Sequence, residues 1–316
     1  MALPEQLKGR LRLPVVSAPM FLVSGPELVI NACRSGVVGT FPALNARTSE
    51  DFEQWLIDIN TALAEEPDAA PFGVNLIVHK SNPRLQADLE LCVKHKVPLV
   101  ITSLGAVAEL VDAVHSYDGL VFHDVINVRH ARKAAGAGVD GLIAVCAGAG
   151  GHAGTTSPFA LVRELRAFFD KTILLAGSLS TGRDVLATQA VGADLAYMGT
   201  RFINTEESRA PQGYKELIVE SGSKDIVYTD KISGVSANFL GPSIAAAGLD
   251  PANMESKEMD MSSRTNDEAK AWKTIWSAGH GVGAIDDVLP VAKLVARMRE
   301  EYDAARKALL DNGDLA

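Results

Sequence analysis

Between Gly148 and Gly154 the chain reads GAGGHAG: four glycines, two alanines and one histidine. An imidazole titrates near pH 6.5, so His152 is suited to give or take a proton near neutrality. Neighbours without side chains let a planar ring come close to the backbone, where the imidazole would face it unobstructed. The competing reading is structural, with His152 capping the loop or facing solvent. Two further small-residue loops, AGSLSTG (176–182) and GTR (199–201), each lead toward a helix. Backbone N–H groups at such turns, together with the helix dipole, favour an anion such as a phosphate. Either loop alone would equally serve close helix packing; the two in this order favour a phosphate site. Other residues of interest are the Asn75 amide, the pair His123-Asp124, and the small apolar run Ala18, Pro19 and Met20.

These residues share one kind of position. Eight near-continuous apolar runs recur, at 14–20, 36–44, 71–77, 97–104, 119–125, 140–147, 172–178 and 194–200. Runs of this sort are expected of strands buried on both faces of a parallel sheet. Helix signals lie between them: Pro26 after Gly25, Thr48 before SEDFEQWL, Ser157-Pro158 before FALVRELRAFF, and Thr181 with Asp184 as a capping box. Gly36, Gly136 and Gly192 are expected at helix ends. Eight strands alternating with helices predict an α/β (β/α)8 TIM barrel rather than an open sheet. In such barrels the chemistry gathers at the C-terminal strand ends, which is where all of these residues fall. Asn75 would end strand three, one of His123 and Asp124 would point inward from strand five, and His152 would follow strand six. An apolar wall, an amide, a glycine floor and a phosphate nest suit a phosphorylated planar cofactor better than a sugar phosphate, which would call for more charged side chains.

After the eighth strand the pattern changes. Residues 206–275 are more polar, include SRTNDEAKAWKT, and read as helices and loops without strand periodicity. They predict a smaller, mostly helical insertion near the mouth, with 1–205 and 276–316 forming the barrel. The closing helix would bury Leu294, Met298, Tyr302, Ala305 and Leu309 on one face.

Composition narrows the function classes. A net charge of −9 without Lys/Arg runs argues against nucleic acid and anionic membranes as partners. The N-terminus lacks the apolar core of a signal peptide, and no apolar run is long enough to span a bilayer. Cys33, Cys92 and Cys146 stand apart in apolar contexts, as buried reduced thiols of a cytoplasmic protein and not as a metal site.

The motifs SAPM, PFGVNL, GGHAG, AGS with TG, MGTRF and IWSAGHGVGAIDD together resemble the nitronate monooxygenase family (2-nitropropane dioxygenases), over about residues 14–290. The resemblance implies a TIM barrel binding FMN, related to FMN-containing enoyl-ACP reductases. It implies FMN contacts from Ala18, Pro19, Met20, Asn75, Gly150, Gly177, Ser178, Gly199 and Thr200, the last four at the phosphate. It gives His152 the catalytic role over the flavin, as base or anion stabiliser, in oxidising an alkyl nitronate with O2. Asp124, expected near the flavin, departs from the family pattern and would disfavour an anionic reduced flavin. His280 is a second departure, either facing the mouth or lying on the surface. The alternatives are an FMN-dependent NAD(P)H:quinone or enoyl-ACP reductase and, from another class, a non-catalytic barrel binding a phosphorylated ligand or a partner protein. The apolar content of 235–249 points to a covered surface, either the mouth or the contact of a homodimer.

Overall fold

The computed structural model describes residues 2–79, 81–105, 107–253 and 274–311. Eight parallel strands close into a barrel: β1 (Val15–Ser17), β2 (Val38–Pro42), β3 (Gly73–Ile77), β4 (Leu99–Ser103), β5 (Leu120–Val125), β6 (Gly141–Val145), β8 (Thr172–Ala176) and β9 (Leu195–Met198). Closure is made by β1 against β9, with Val16 opposite Tyr197. Each of the eight apolar runs holds one of these strands. Alternate side chains serve different cores. Leu120 and Phe122 fill the barrel interior with Val16, Ile101, Ile143 and Leu174, while Val121 and Val125 pack outward beneath the helices. Burial on both faces is why no polar alternation interrupts the runs.

The helices begin and end for local reasons. In α1 (Pro26–Arg34) a proline fills the first turn, and left-handed Gly36 (φ +82°) follows the helix. In α2 (Ser49–Ala64) the Thr48 side chain accepts from the Asp51 amide, and Phe52, Leu56 and Ile59 form the buried stripe. Helices α3 (Leu85–Lys94), α4 (Ala108–His115), α5 (Val128–Gly136) and α6 (Pro158–Arg166) cover the next strands. The capping box of α7 (Gly182–Val191) is present, and left-handed Gly192 (φ +106°) caps its C-terminus. Gly136 is the last residue of α5, at the expected helix end, while the left-handed residue is Gly138 two positions on (φ +93°). The final helix, α11 (Val291–Asp311), crosses α7 so closely that a Cβ on Gly182 would lie 1.8 Å from the Met298 carbonyl oxygen. Leu294, Met298 and Ala305 are buried there and Tyr302 is half-buried, but Leu309 in the last turn is exposed.

The region after β9 differs from its expected strandless character. It holds α8 (Thr200–Ile203), α9 (Gln212–Glu220), α10 (Gly241–Ala246) and two strands, β10 (Ile226–Thr229) and β11 (Ala237–Leu240). These strands form an antiparallel sheet with the two-residue strand β7 (Gly151–His152). SRTNDEAKAWKT lies outside the described residues except for Thr274. No described helix is long and apolar enough to cross a membrane. The three cysteines are buried and unpaired, and burial raises the Cys33 thiol to about 12.

Candidate active site at the barrel mouth

A cavity of about 650 Å³ opens at the C-terminal ends of the strands, within the range of roughly 300–1,000 Å³ usual for small-molecule and cofactor pockets. Ala18, Pro19, Met20, Asn75, Asp124, Gly150, His152, Gly177, Ser178, Gly199 and Thr200 all border it. These residues, distant in the chain, surround one space because the loops after the barrel strands open on the same face.

One side of this space is backbone. The loops 148–150, 177–178, 199–200 and 279–281 converge there. The Gly148 carbonyl accepts from the amides of Ser178 (3.2 Å) and His280 (2.9 Å), and the Gly279 amide donates to Thr200 Oγ1 at 2.9 Å. Packing is so close that a Cβ on Gly148 would stand 2.2 Å from Ser178 Oγ, and one on Gly279 would stand 2.4 Å from the Gly148 oxygen. A Cβ on Gly199 would rest in ordinary contact with Met20 at 3.7 Å and Ala18 at 3.9 Å. At the start of α8 the first amides have no partner within the helix. Gly279 and Gly281 were not singled out from sequence. Their only signal was the IWSAGHG motif, distant in the chain from the other glycines. His280 itself is exposed and does not border the cavity.

The expected glycine loop around His152 is partly a strand. Gly151 and His152 pair with Asn238 and Ala237 of β11. Asn238 Nδ2 donates to the Ala149 carbonyl at 2.7 Å, and the Tyr228 hydroxyl donates to the Ala153 carbonyl at 3.1 Å. The ring of His152 is exposed to the cavity, yet the enclosing protein lowers its pKa from 6.5 by desolvation. Its resting form near pH 7 is the neutral imidazole.

At the floor, strand alternation separates His123 from Asp124. His123 points outward toward α5 and bonds Thr102 Oγ1 at 2.7 Å; burial holds it neutral, with a pKa of about 4. Asp124 points into the cavity. Its Oδ2 accepts from Ser103 Oγ at 2.5 Å, and that hydroxyl accepts from Asn75 Nδ2 at 2.8 Å. Its Oδ1 is buried with no hydrogen-bond partner. Burial raises its pKa to about 6, against the lowering effect of Ser103. Tyr197, also at the floor, is held protonated first by burial and then by the charge of Asp124.

Apolar side chains form the rest of the wall, among them Phe21, Leu22, Leu44 and Leu104. Tyr214 and Trp276 stack above, their rings 5.0 Å apart and 9° from parallel, and the Tyr214 hydroxyl donates to the Ser277 carbonyl. No sequence pattern marks either aromatic, because the two meet from segments far apart in the chain. Arg201 of MGTRF does not reach the cavity. It is buried and paired with Asp287 at 2.9 Å, and Asp287 also bonds Arg297 of α11 at 2.8 Å.

Known proteins resemble this chain in sequence and in fold. The family model described as nitronate monooxygenase matches residues 6–301. A nitronate monooxygenase of Paraburkholderia phytofirmans is 28% identical, over 91% of this chain and 92% of its own. A (3aS,4S,5R,7aS)-5-hydroxy-7a-methyl-1-oxo-octahydro-1H-indene-4-carboxyl-CoA dehydrogenase of Rhodococcus jostii is 27% identical, over 76% of this chain and 66% of its own. Among solved structures, a nitroalkane oxidase from Streptomyces ansochromogenes superposes with a TM-score of 0.84 at 24% identity, covering 96% of this chain and all of its own. FabK from Thermotoga maritima superposes with a TM-score of 0.80 at 23% identity, covering 98% of this chain and 99% of its own. These two likenesses speak to the fold. With a match running from the first turn to the closing helix, the chain belongs to the nitronate monooxygenase family.

Proposed function

We propose that this protein is an FMN-dependent oxidoreductase that oxidises alkyl nitronates with O2, with His152 as its catalytic residue. The observation carrying the reading is the joining of a backbone-walled corner to a cavity that His152 borders. The cavity suits the group on its own terms. The corner is built of main chain from four loops at the C-terminal strand ends, where a phosphate on a planar ring can approach without meeting bulky side chains. Met20 and its neighbours offer an apolar face to a ring, and Asn75 and Asp124 offer polar atoms to a heteroaromatic edge. The roles of Gly150, Gly177, Ser178, Gly199 and Thr200 in holding the phosphate end are part of this proposal.

When bound, FMN would supply the electron acceptor and the reactivity toward O2. The protein's share is binding, orientation and proton handling. The neutral imidazole of His152 donates a hydrogen bond to a nitronate oxygen and orients the anion. With a neutral nitroalkane it takes the α-proton, and the resulting imidazolium pairs with the nitronate formed. Tyr214 and Trp276 cover the space and limit water. We assign the described residues 206–253 and 274–275 to a mouth insertion and place the protein in the cytoplasm, which its three buried, unpaired thiols favour.

The test is the visible spectrum of the purified protein, followed anaerobically on adding an alkyl nitronate and, separately, NADH or NADPH. Bleaching of a flavin spectrum by nitronate is expected. Bleaching by a nicotinamide alone would replace the reading with a reductase. A colourless protein that FMN cannot reconstitute would overturn both.

A further inference from the structure

Hydrogen bonds at the cavity floor run one way. The Ile101 carbonyl can only accept, so the Asn75 group that meets it at 3.3 Å is the Nδ2 amide. The second N–H of that amide goes to Ser103 Oγ at 2.8 Å, which leaves the Ser103 proton for Asp124 Oδ2 at 2.5 Å. Strands β3, β4 and β5 lie side by side and hold the three residues in this order. The run ends on a carboxyl group that receives a hydrogen bond and passes none on. Its Oδ1 is buried and has no partner among the described residues. With Oδ2 already accepting, a proton on Asp124 sits on Oδ1. Only a molecule in the cavity can then satisfy it.

Charge decides when that proton is present. The side chains sharing the floor are uncharged: Asn75 of β3, Ser103 of β4 and Tyr197 of β9, with Val145 of β6 and Ala176 of β8 between them. His152 at the rim is neutral near pH 7. Burial raises the Asp124 carboxyl to about 6, so near neutrality it stands within reach of either form. A second negative charge arriving in the same enclosure raises it further. Reduction of a bound flavin delivers such a charge.

We propose that Asp124 is the proton-holding group of the cofactor site, its Oδ1 taking up a proton from water as the bound flavin is reduced and returning it on reoxidation. This rests on the FMN reading of the cavity. In the balance, two electrons and one proton on the ring leave it one negative charge richer, and a second proton on Oδ1 removes the carboxylate charge. The net charge of the site stays constant. Reoxidation by O2 releases two electrons and both protons together, as hydrogen peroxide. The acidic residue at the end of β5 therefore does not oppose the reduced ring, because it is neutral by then.

The test is the midpoint potential of the bound flavin against pH, read with reference dyes in anaerobic holoenzyme reduced by dithionite. Each proton taken up lowers the two-electron reduction constant about tenfold per pH unit, or about 30 mV. The unaltered protein is expected to take up two protons over about pH 7–8, a fall of about 100-fold per unit. Asp124→Asn should take up one, about tenfold per unit. A one-proton slope in the unaltered protein, or a two-proton slope kept by Asp124→Asn, would overturn the proposal. Ser103→Ala removes the donor that holds the carboxyl down, so the pH at which the slope steepens should move up. This variant decides the matter if Asp124→Asn holds no flavin, and an unmoved break would overturn the proposal. Dithionite makes the readout independent of substrate. The expected slopes with inert nitronates would overturn the nitronate reading and leave the proton-holding role standing, whereas a protein that binds no flavin would overturn both.

Discussion

Leu22 and Leu104 hold left-handed backbone angles on one side of the cavity (φ +63° and +65°), as Gly148 and Gly177 do on the other (φ +83° and +136°). The same backbone geometry serves opposite ends. On the glycine side it removes side chains, so four loops close to within hydrogen-bonding distance and present their main chain. On the leucine side it turns large apolar side chains into the opening. Main-chain N–H groups recognise an anion, and apolar side chains exclude water. The two halves of one rim therefore have different tasks, and His152 and Asp124 lie where they meet.

The largest effect is expected at that meeting point. Replacing His152 with Ala should leave the flavin bound and lower kcat/KM for a neutral nitroalkane by about 10²–10⁴-fold, the usual worth of general acid–base catalysis. For the unaltered enzyme the acid limb of that profile should lie below pH 6.5, because enclosure lowers the pKa of His152. A limb above 6.5, or loss of flavin from the variant, would make His152 structural.

Breaking the two sides separately sharpens the contrast. Gly148→Ala sets a Cβ 2.2 Å from Ser178 Oγ at a φ of +83°. The corner must open, and FMN affinity by fluorescence titration should fall by about 10²-fold, as misplacement by an ångström commonly costs. Leu104→Gly relieves strain of about 1–2 kcal/mol while losing a partly exposed side chain and adding unfolded-state entropy. FMN affinity should be unchanged and Tm should move by no more than about 2 °C, given that ~1 kcal/mol corresponds to about 2–4 °C or less in a chain of this size. Equal loss of FMN in both variants would erase the distinction between the halves.

The floor is expected to show a pH-dependent effect. The folded-state pKa of Asp124 is raised from 3.8 to about 6, so the folded protein holds this proton more tightly than the unfolded chain does. That stability is fully present below about pH 4 and is lost as pH rises through about 6. Asp124→Asn should thus be more stable than the parent at pH 8 by about 3 kcal/mol and close to it at pH 4, judged by denaturant midpoints. A stability difference independent of pH would show that the carboxyl proton is not held by the fold.

The barrel was legible because its strands are buried on both faces, which writes each as an apolar run, and because Thr48, Thr181 and Gly192 punctuate the helices between. The ring of site residues followed from chain order alone, since strand ends share one face of a barrel. What escaped depends on contacts distant in sequence. Strands β10 and β11 are four residues each and one of their partners is a two-residue strand, too short for alternation to show. Period-two geometry required His123 and Asp124 to face opposite ways, but the phase was set by Leu120 and Phe122 filling the interior. Gly279 reaches the corner only through the fold, since it lies far along the chain from Gly148 and Thr200, which it packs against. Leu22 and Leu104 gave no signal, because sequence patterns place glycine, not leucine, at positive φ.

The pairing of His152 with Ala237 has a consequence for anyone moving this site into another protein. The loop that carries the imidazole is half of a small sheet, and Asn238 and Tyr228 hold the main chain on either side of it. A graft of residues 146–154 alone would arrive without its splint. The transplantable unit is two segments, the loop and the 226–240 hairpin, and a recipient barrel must accept both in register before the ring of His152 points where it does here.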